Sequence, residues 1–257
     1  MSDDRPRWPS VLWIVRHGES AGNVARDLAD QQGLGRIDIG ERDVDVPLSA
    51  LGETQAAALG RWFADRPDAE RPEVVLCSPY LRARETARRF CEAGGVAHGK
   101  VTHCVDERLR EREFGVLDRL TGRGIREIHP EQAELRAAIG KFYHRPPGGE
   151  SWCDVILRLR SALDTLSLHH AQRRVMIVAH QVVVLCLRYL LEGMDEAEIL
   201  AIDKQGEVAN CSVTEYRLTK DDAGRAGLKL VRYNFTAPVE RSGAPVTAEP
   251  DQTAAAR

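Results

Sequence analysis

Short apolar runs alternate with longer amphipathic stretches along the chain. Four of these runs are rich in β-branched residues and have the length of buried strands: 11–15 (VLWIV), 74–77 (VVLC), 175–179 (VMIVA) and 211–216 (CSVTEY). The neighbouring stretches place apolar residues at helical spacing, over 49–66, 80–95, 151–170 and 181–193. This alternation predicts an α/β fold, a three-layer α/β/α sandwich around a mainly parallel central sheet.

The same pattern divides the chain at residue 240. Residues 1–240 hold all the predicted elements and form one predicted domain. Residues 241–257 (RSGAPVTAEPDQTAAAR) are small, polar and proline-containing, which is typical of a flexible C-terminal tail.

Composition and charge narrow the class of protein. The 257 residues carry a net charge of −3, so the chain lacks the basic surface that binds nucleic acid or an anionic membrane. Its six cysteines show no zinc-binding spacing and are expected to be buried thiols, and no metal or other cofactor is predicted. The N-terminus has no apolar signal-like segment and no run reaches the length of a membrane span, which predicts a cytoplasmic location. These patterns leave the oligomeric state open.

Basic side chains follow three of the predicted strands at the point where each ends. Arg16 and His17 follow the first strand, Arg82 lies in the helix after the second, and His180 follows the third. Because the carboxyl ends of parallel strands meet at one edge of a sheet, these side chains are expected to converge. Guanidinium groups and helix N-termini bind phosphate oxygens, and a neutral imidazole is a nucleophile near pH 7. One histidine at a strand end is usually structural, but the threefold repetition predicts a phosphate site.

Four separated motifs carry a resemblance to a known family. RHGES with Asn23 downstream, SPYLRARETA, LREREFG and VAHQ occur in this order within roughly residues 11–217. Together they resemble the histidine phosphatase superfamily, the phosphoglycerate-mutase-like proteins. The resemblance implies that His17 is the phosphorylated nucleophile. The other implied site residues are Arg16, Arg82 and His180 in the catalytic core, Glu111 as proton donor, and Ser20, Asn23, Gln181 and Arg145 as phosphate or substrate contacts.

The residues alone leave the proton donor open among three glutamates. Loss of an alkoxide from phosphorus needs an acid, and chemistry alone does not choose among Glu107, Glu111 and Glu113. The LREREFG motif favours Glu111. Its neighbours Arg110 and Arg112 are expected to point away, because a guanidinium beside the carboxyl would hinder its role as an acid.

The branch of the superfamily is suggested by the segments between the motifs. The aromatic FTGW-like segment typical of phosphoglycerate mutases is absent, whereas the region around KFYHRPPGGESW looks like fructose-2,6-bisphosphatase domains and broad-range phosphatases. Gly148 stands where the sugar bisphosphatases commonly have a lysine, and this leaves Tyr143 and Arg145 as candidates for substrate recognition, with a purely structural role for this turn equally open.

The segment after Asn23 predicts which acceptor takes the phosphoryl group. It is polar and acidic, with Asp38, Glu41, Asp43 and Asp45, which predicts an open mouth that admits water and repels a second anion. The sequence therefore predicts a metal-independent phosphomonoester hydrolase that acts through phosphohistidine on a small phosphorylated metabolite. The alternatives are a mutase-type phosphotransferase and a non-catalytic phosphate-binding protein.

Overall fold

The computed structural model describes residues 7–99, 101–221 and 224–248. Within these residues, six strands form one sheet: β1 Val11–Arg16, β2 Val74–Cys77, β3 Thr102–Val105, β4 Arg174–Ala179, β5 Val213–Lys220 and β6 Ala226–Phe235. Their order is β3-β2-β4-β1-β5-β6. The first four strands in this order pair in parallel, whereas β5 pairs antiparallel with both β1 and β6. The predicted α/β class and the mainly parallel sheet are confirmed.

Helices cover both faces of this sheet. In the described part of the chain they are α1 Ala21–Gln31, α2 Ala50–Ala64, α3 Leu81–Glu92, α4 Gly122–Ile128, α5 Pro130–Tyr143, α6 Trp152–His169, α7 Gln181–Glu192, α8 Glu196–Gln205 and α9 Ala237–Glu240. Alternate residues of β1 point to opposite faces of the sheet. Leu12 and Ile14 pack in one core with α6 and α7, and Trp13 and Val15 pack in a second core with α2 and α3. These two cores define the predicted three layers.

The sequence pattern did not predict β3 and β6, because these two strands have few buried apolar residues. All four residues of β3 are exposed, so this edge strand has no buried face to mark it. Most residues of β6 are half-buried, and Leu228 is its buried residue. Both strands lie at the two edges of the sheet, where backbone pairing with one neighbour suffices.

The first part of the predicted tail is attached to the domain. The side-chain amide of Gln55 donates hydrogen bonds to the Pro245 carbonyl at 3.0 Å and to the Thr247 hydroxyl at 2.9 Å. The Asn210 backbone N–H donates to the Thr247 carbonyl at 2.8 Å. Residues in the range 241–248 are therefore hydrogen-bonded to buried amides of the domain, although their composition predicts a flexible tail, and the domain boundary at residue 240 stays a prediction. The remaining residues, 249–257, lie outside the described part of the chain.

Candidate active site

Three neighbouring strand ends bring the predicted core residues together. Strands β1 and β2 both pair with β4, so Arg16 and His17, the helix carrying Arg82, and His180 meet at one edge of the sheet. All four side chains are buried. The Arg82 Nε lies 3.3 Å from the His17 Nε2, and the rings of His17 and His180 are 5.1 Å apart. The convergence expected from the sequence is present.

The hydrogen bonds of His17 define which ring nitrogen carries its proton. Nδ1 lies 2.6 Å from the carbonyl oxygen of Gly18, which accepts but never donates, so Nδ1 is protonated. Arg82 Nε–H only donates, so Nε2 of His17 accepts with its lone pair. The two contacts agree on one neutral tautomer. In this tautomer Nε2 carries the lone pair of the ring.

The loop that carries His17 is held by its main chain. The Gly18 N–H donates to the hydroxyl of Thr86 at 3.0 Å, and the Glu19 N–H donates to the side-chain oxygen of Gln55 at 2.9 Å. Helix α2 approaches closely, because a Cβ added at Gly18 would lie 2.6 Å from the carbonyl oxygen of Gly52. Glycine is therefore required at position 18 by a backbone contact.

The His180 ring is held by the start of the helix that follows β2. Its Nε2 lies 2.8 Å from the hydroxyl of Ser78, and the Tyr80 ring packs edge-on against it at 5.1 Å. The Tyr80 hydroxyl donates to the Glu113 carboxylate at 2.8 Å. Burial, with the charges of Asp43 and Glu113, raises the pKa of Tyr80 far above its usual range, so the phenol stays a donor. Ser78 and Tyr80 belong to the SPYLRARETA motif, but the sequence did not predict that both contact the His180 ring.

Arg82 has an acidic partner from the segment before α2. Its Nη1 donates to the main-chain carbonyl of Asp43 at 2.6 Å and lies 3.0 Å from the Asp43 carboxylate. The buried Ile37 and Val46 belong to the same segment. The segment therefore does not form the open mouth that its composition predicted: Asp43 lies on Arg82 and neutralises it, and the apolar Ile37 and Val46 are buried. Asp45 instead pairs with Arg42 at the surface.

Two of the predicted phosphate contacts form a helix cap. Ser20 is the N-cap of α1, and its hydroxyl accepts the Asn23 N–H at 3.1 Å while its own N–H donates to the Asn23 side chain at 2.9 Å. This reciprocal cap begins α1 three residues after His17. Gln181, the first residue of α7, donates to the carboxylate of Glu207. These contacts orient both helix starts toward the site.

The three candidate acids differ in burial. Glu111 is buried, whereas Glu107 and Glu113 are exposed. The Glu111 carboxylate accepts the N–H of Arg112 at 2.7 Å. Arg110 points away as expected, since its guanidinium bonds Glu150 at 2.7 Å.

The Arg112 guanidinium also bonds away from Glu111, as expected. It donates to the main-chain carbonyls of Glu150 at 2.6 Å and His144 at 3.0 Å. Burial, with the positive charge of Arg136, lowers the pKa of Arg112 to about 10, and Glu111 acts in the opposite direction.

The GGES segment supports the loop that carries Glu111. The Glu150 carboxylate accepts from Arg110 and from Arg158, which also donates to the main-chain carbonyl of Glu111 at 3.2 Å. Arg145, predicted to bind substrate, forms an ion pair with Asp154 and its side chain is 62% exposed. Asp154 in turn completes the cap of α6, so the present partner of Arg145 is structural.

The described residues contain no group of three His, Cys, Asp or Glu side chains placed to hold a metal ion. The six cysteines are free thiols, with Cys77, Cys186 and Cys211 buried as predicted and Cys104 exposed. Among the helices of the described chain, none is long and apolar enough to cross a membrane.

Comparison with known proteins agrees with this geometry. The family model described as the histidine phosphatase superfamily (branch 1) matches residues 12–230. The chain therefore belongs to the histidine phosphatase superfamily, and the prediction of an enzyme of the phosphatase class is confirmed.

Individual relatives span different activities. The chain is 30% identical over 196 residues to 6-phosphofructo-2-kinase/fructose-2,6-bisphosphatase of Caenorhabditis elegans, covering 76% of this chain and 37% of that protein. It is 29% identical over 205 residues to a probable phosphoglycerate mutase, GpmB, of Yersinia enterocolitica, covering 79% and 82% of the two chains. A solved mycobacterial glucosyl-3-phosphoglycerate phosphatase, in complex with VO3, has a TM-score of 0.66 and 26% identity over 88% of this chain and 100% of that chain.

Proposed function

We propose that the protein is a metal-independent phosphomonoester hydrolase that acts through a phosphohistidine at His17 on a small phosphorylated metabolite. The observation that carries the proposal is the tautomer of His17, whose Nδ1–H donates to Gly18 and whose Nε2 accepts from Arg82. A neutral imidazole fixed in this way directs a lone pair into a site lined by cationic donors.

The first step transfers the phosphoryl group to His17. Arg82 Nε–H, which donates to His17 Nε2, turns to a phosphoryl oxygen and releases the lone pair. The Nε2 lone pair then forms the bond to phosphorus while the bond from phosphorus to the ester oxygen breaks. Arg16, Arg82 and His180 donate to the equatorial oxygens, where the charge of a loose transition state is spread. Protonated Glu111 gives its proton to the departing oxygen, so the product leaves as an alcohol.

Substrate binding requires Arg82 to exchange partners. Its Nη1 is engaged by the carbonyl and the carboxylate of Asp43, and both contacts occupy the guanidinium edge that a phosphoryl group needs. The segment that carries Asp43 therefore withdraws when the substrate enters.

The second step returns His17 to its starting state. Glu111, now a carboxylate, takes a proton from water, the water oxygen bonds to phosphorus, and the bond from phosphorus to Nε2 breaks. Inorganic phosphate leaves, and Nε2 regains its lone pair. No step uses a metal, because arginines supply the positive charge that a metal ion supplies in other phosphatases.

A phosphoglycerate mutase is the second candidate, favoured by the match to the probable mutase of Yersinia enterocolitica. In that case a second hydroxyl, not water, accepts the phosphoryl group from His17.

The predicted cytoplasmic location and the absence of a nucleic-acid partner stay predictions.

One assay separates the two candidates. The enzyme is supplied with 3-phosphoglycerate and catalytic 2,3-bisphosphoglycerate, and both 2-phosphoglycerate and free phosphate are followed. The proposal expects phosphate as the main product, there and from a panel of other monoesters. Isomer formed much faster than phosphate would establish the mutase. Hydrolysis is expected to survive excess EDTA, and loss that one divalent ion restores would overturn metal independence.

A further inference from the structure

Two buried side-chain amides hold the loop of the nucleophile from behind. Gln55 accepts the Glu19 N–H through its side-chain oxygen at 2.9 Å. Asn210 donates through its side-chain nitrogen to the carbonyl oxygen of His17 at 3.0 Å. Both amides are fully buried. Their contacts lie on the main chain on either side of Gly18, whose carbonyl fixes the tautomer of His17.

The far ends of both amides meet at one hydroxyl. Thr247 Oγ1 accepts from the Gln55 side-chain nitrogen at 2.9 Å and donates to the Asn210 side-chain oxygen at 3.0 Å. The hydroxyl thus meets a donor on one side and an acceptor on the other, which a hydroxyl satisfies simultaneously. A flip of Gln55 would place two acceptor oxygens on the single Thr247 hydroxyl proton. Thr247 therefore favours the Gln55 orientation that accepts the Glu19 N–H, and its proton satisfies the oxygen of Asn210 while the Asn210 nitrogen donates to His17.

The main chain at Thr247 also supports a strained turn. The Thr247 carbonyl accepts the Asn210 N–H at 2.8 Å. Cys211, which follows Asn210 in the chain, has a φ of 54°. A non-glycine residue in this left-handed region is strained and persists where its surroundings hold it. The Cys211 N–H donates to the carbonyls of Arg16 and His17 at 3.1 and 3.3 Å. The turn and the nucleophile loop are thereby bound to each other.

We propose that Thr247 is a positioning residue, which fixes the His17 loop through Gln55 and Asn210 and thereby supports phosphoryl transfer. Thr247 acts through these two amides and not on the substrate. This inference rests on the role proposed for His17. Small displacements of a reacting atom are costly, since about 1 Å of misplacement lowers rates by about 10²-fold. Loss of the hydroxyl leaves two buried amides with unmet partners, and this loosens the loop.

The segment that carries Thr247 has a separate apolar attachment. Val239 of α9 is buried in a cluster with Leu48, Ala56 and Cys211, and Ala244 packs against it. Removing one hydroxyl at Thr247 therefore leaves the chain attached to the domain, and a loss of activity is separable from a loss of fold.

The test compares Thr247→Val, Thr247→Ser and two truncations of the full chain. Thr247→Val keeps the shape and removes the hydroxyl, and kcat on 4-nitrophenyl phosphate is expected to fall about tenfold with little change in KM. Thr247→Ser keeps the hydroxyl and restores kcat. Truncation after Ala248 leaves kcat unchanged, whereas truncation after Gly243 lowers it at least as far as Thr247→Val.

A second readout does not depend on turnover. Amide hydrogen exchange of the peptide containing Gly18 and Glu19 is expected to be faster in Thr247→Val and to return to the wild-type rate in Thr247→Ser. Unchanged exchange and kcat in Thr247→Val, or equal losses in Thr247→Ser, would overturn the proposal. A wild-type protein without hydrolase activity would overturn the proposed function instead, and the exchange rates would still decide whether Thr247 positions the loop.

Discussion

The two sides of the site are built by different means. On the phosphoryl side, Arg16, His17 and His180 lie at the ends of paired strands, and Arg82 lies in the first turn of a helix. On the proposed leaving-group side, Glu111 lies in an irregular segment between two short 3-10 turns, and the isolated bridge of Phe114 with Gly149 joins this segment to the loop before α6.

This difference separates chemistry from substrate choice. In the proposed mechanism, the groups that act on the phosphoryl group are fixed by the backbone hydrogen bonds of the sheet. The loops proposed to meet the rest of the substrate are held by side-chain contacts, and loops of this kind vary without disturbing the scaffold.

The largest effect is expected on the phosphoryl side, from Arg82→Lys. The substitution keeps the charge but loses the planar fork that reaches both His17 and a phosphoryl oxygen, so kcat/KM is expected to fall about 10³-fold. Arg84→Lys is the matched control, because Arg84 is an exposed neighbour in the same helix. Steady-state hydrolysis of one aryl phosphate measures both. Equal activities of the two variants would refute the role given to Arg82.

The leaving-group side is tested by Glu111→Gln, which keeps the shape of the acid and removes its proton. Turnover of an alkyl phosphate is expected to fall about 10²–10³-fold. Loss of 4-nitrophenolate needs less protonation, so phosphorylation of the enzyme by that ester is expected to be less affected. Glu113→Gln is the control, since Glu113 accepts from Tyr80 and is exposed. The opposite pattern would move the acid to Glu113.

A smaller effect is expected at Asp43, which pairs with Arg82. Asp43→Asn removes the charge that opposes a phosphate at Arg82, so inorganic phosphate is expected to inhibit about three- to tenfold more strongly, a gain of about 1 kcal/mol. Asp45→Asn removes an equal charge from a surface pair with Arg42 and is the control. Competitive inhibition constants give the comparison. If both variants strengthen inhibition equally, the cause is the general field and not the contact with Arg82.

The smallest effect is expected on the free energy of unfolding, from Asp106, which lies in the segment that leads to Glu111. Burial raises the pKa of Asp106, but hydrogen bonds from the Arg108 side chain and N–H outweigh it and leave the pKa below its usual value. A lowered pKa in the folded state means that the contribution is present above the unfolded pKa of about 3.9 and disappears as the pH falls through the folded value.

Asp106→Asn is therefore expected to cost about 1 kcal/mol of unfolding free energy at pH 7. In urea unfolding, the difference from wild type is expected to shrink as the pH falls below the unfolded pKa of about 3.9. Asp164→Asn, an exposed aspartate of α6, is the control. A difference that does not change with pH would show that the charge of Asp106 plays no part.

The sequence predicted the phosphoryl side and not its supports. Arg16, His17 and His180 follow apolar strands, so a one-dimensional pattern places them at one edge of a sheet. Asp43 comes from a segment with no periodicity, and its contact with Arg82 depends on how that segment folds back. Its acidic composition suggested an open mouth, whereas in the structure Asp43 pairs with Arg82 and the neighbouring Ile37 and Val46 are buried.

The contacts of the C-terminal segment were also not predictable from the sequence pattern. Small polar residues predict a mobile tail, because composition reports what a segment does without a partner. Thr247 has partners 192 and 37 residues away in Gln55 and Asn210. Long-range contacts of this kind leave no local pattern, and the tertiary structure is needed to find them.

The most direct test of the account is to trap the phosphoenzyme. Glu111→Gln is mixed with 4-nitrophenyl phosphate, quenched within the first turnover and digested, and the phosphorylated peptide is identified by mass spectrometry. The aryl ester still phosphorylates Nε2, but water attack without the base is slow, so the intermediate accumulates. The account predicts one acid-labile, base-stable phosphoryl group per chain, on His17, and none in the double variant that also carries His17→Ala. A phosphoryl group on another residue, or turnover by His17→Ala at the wild-type rate, would contradict it.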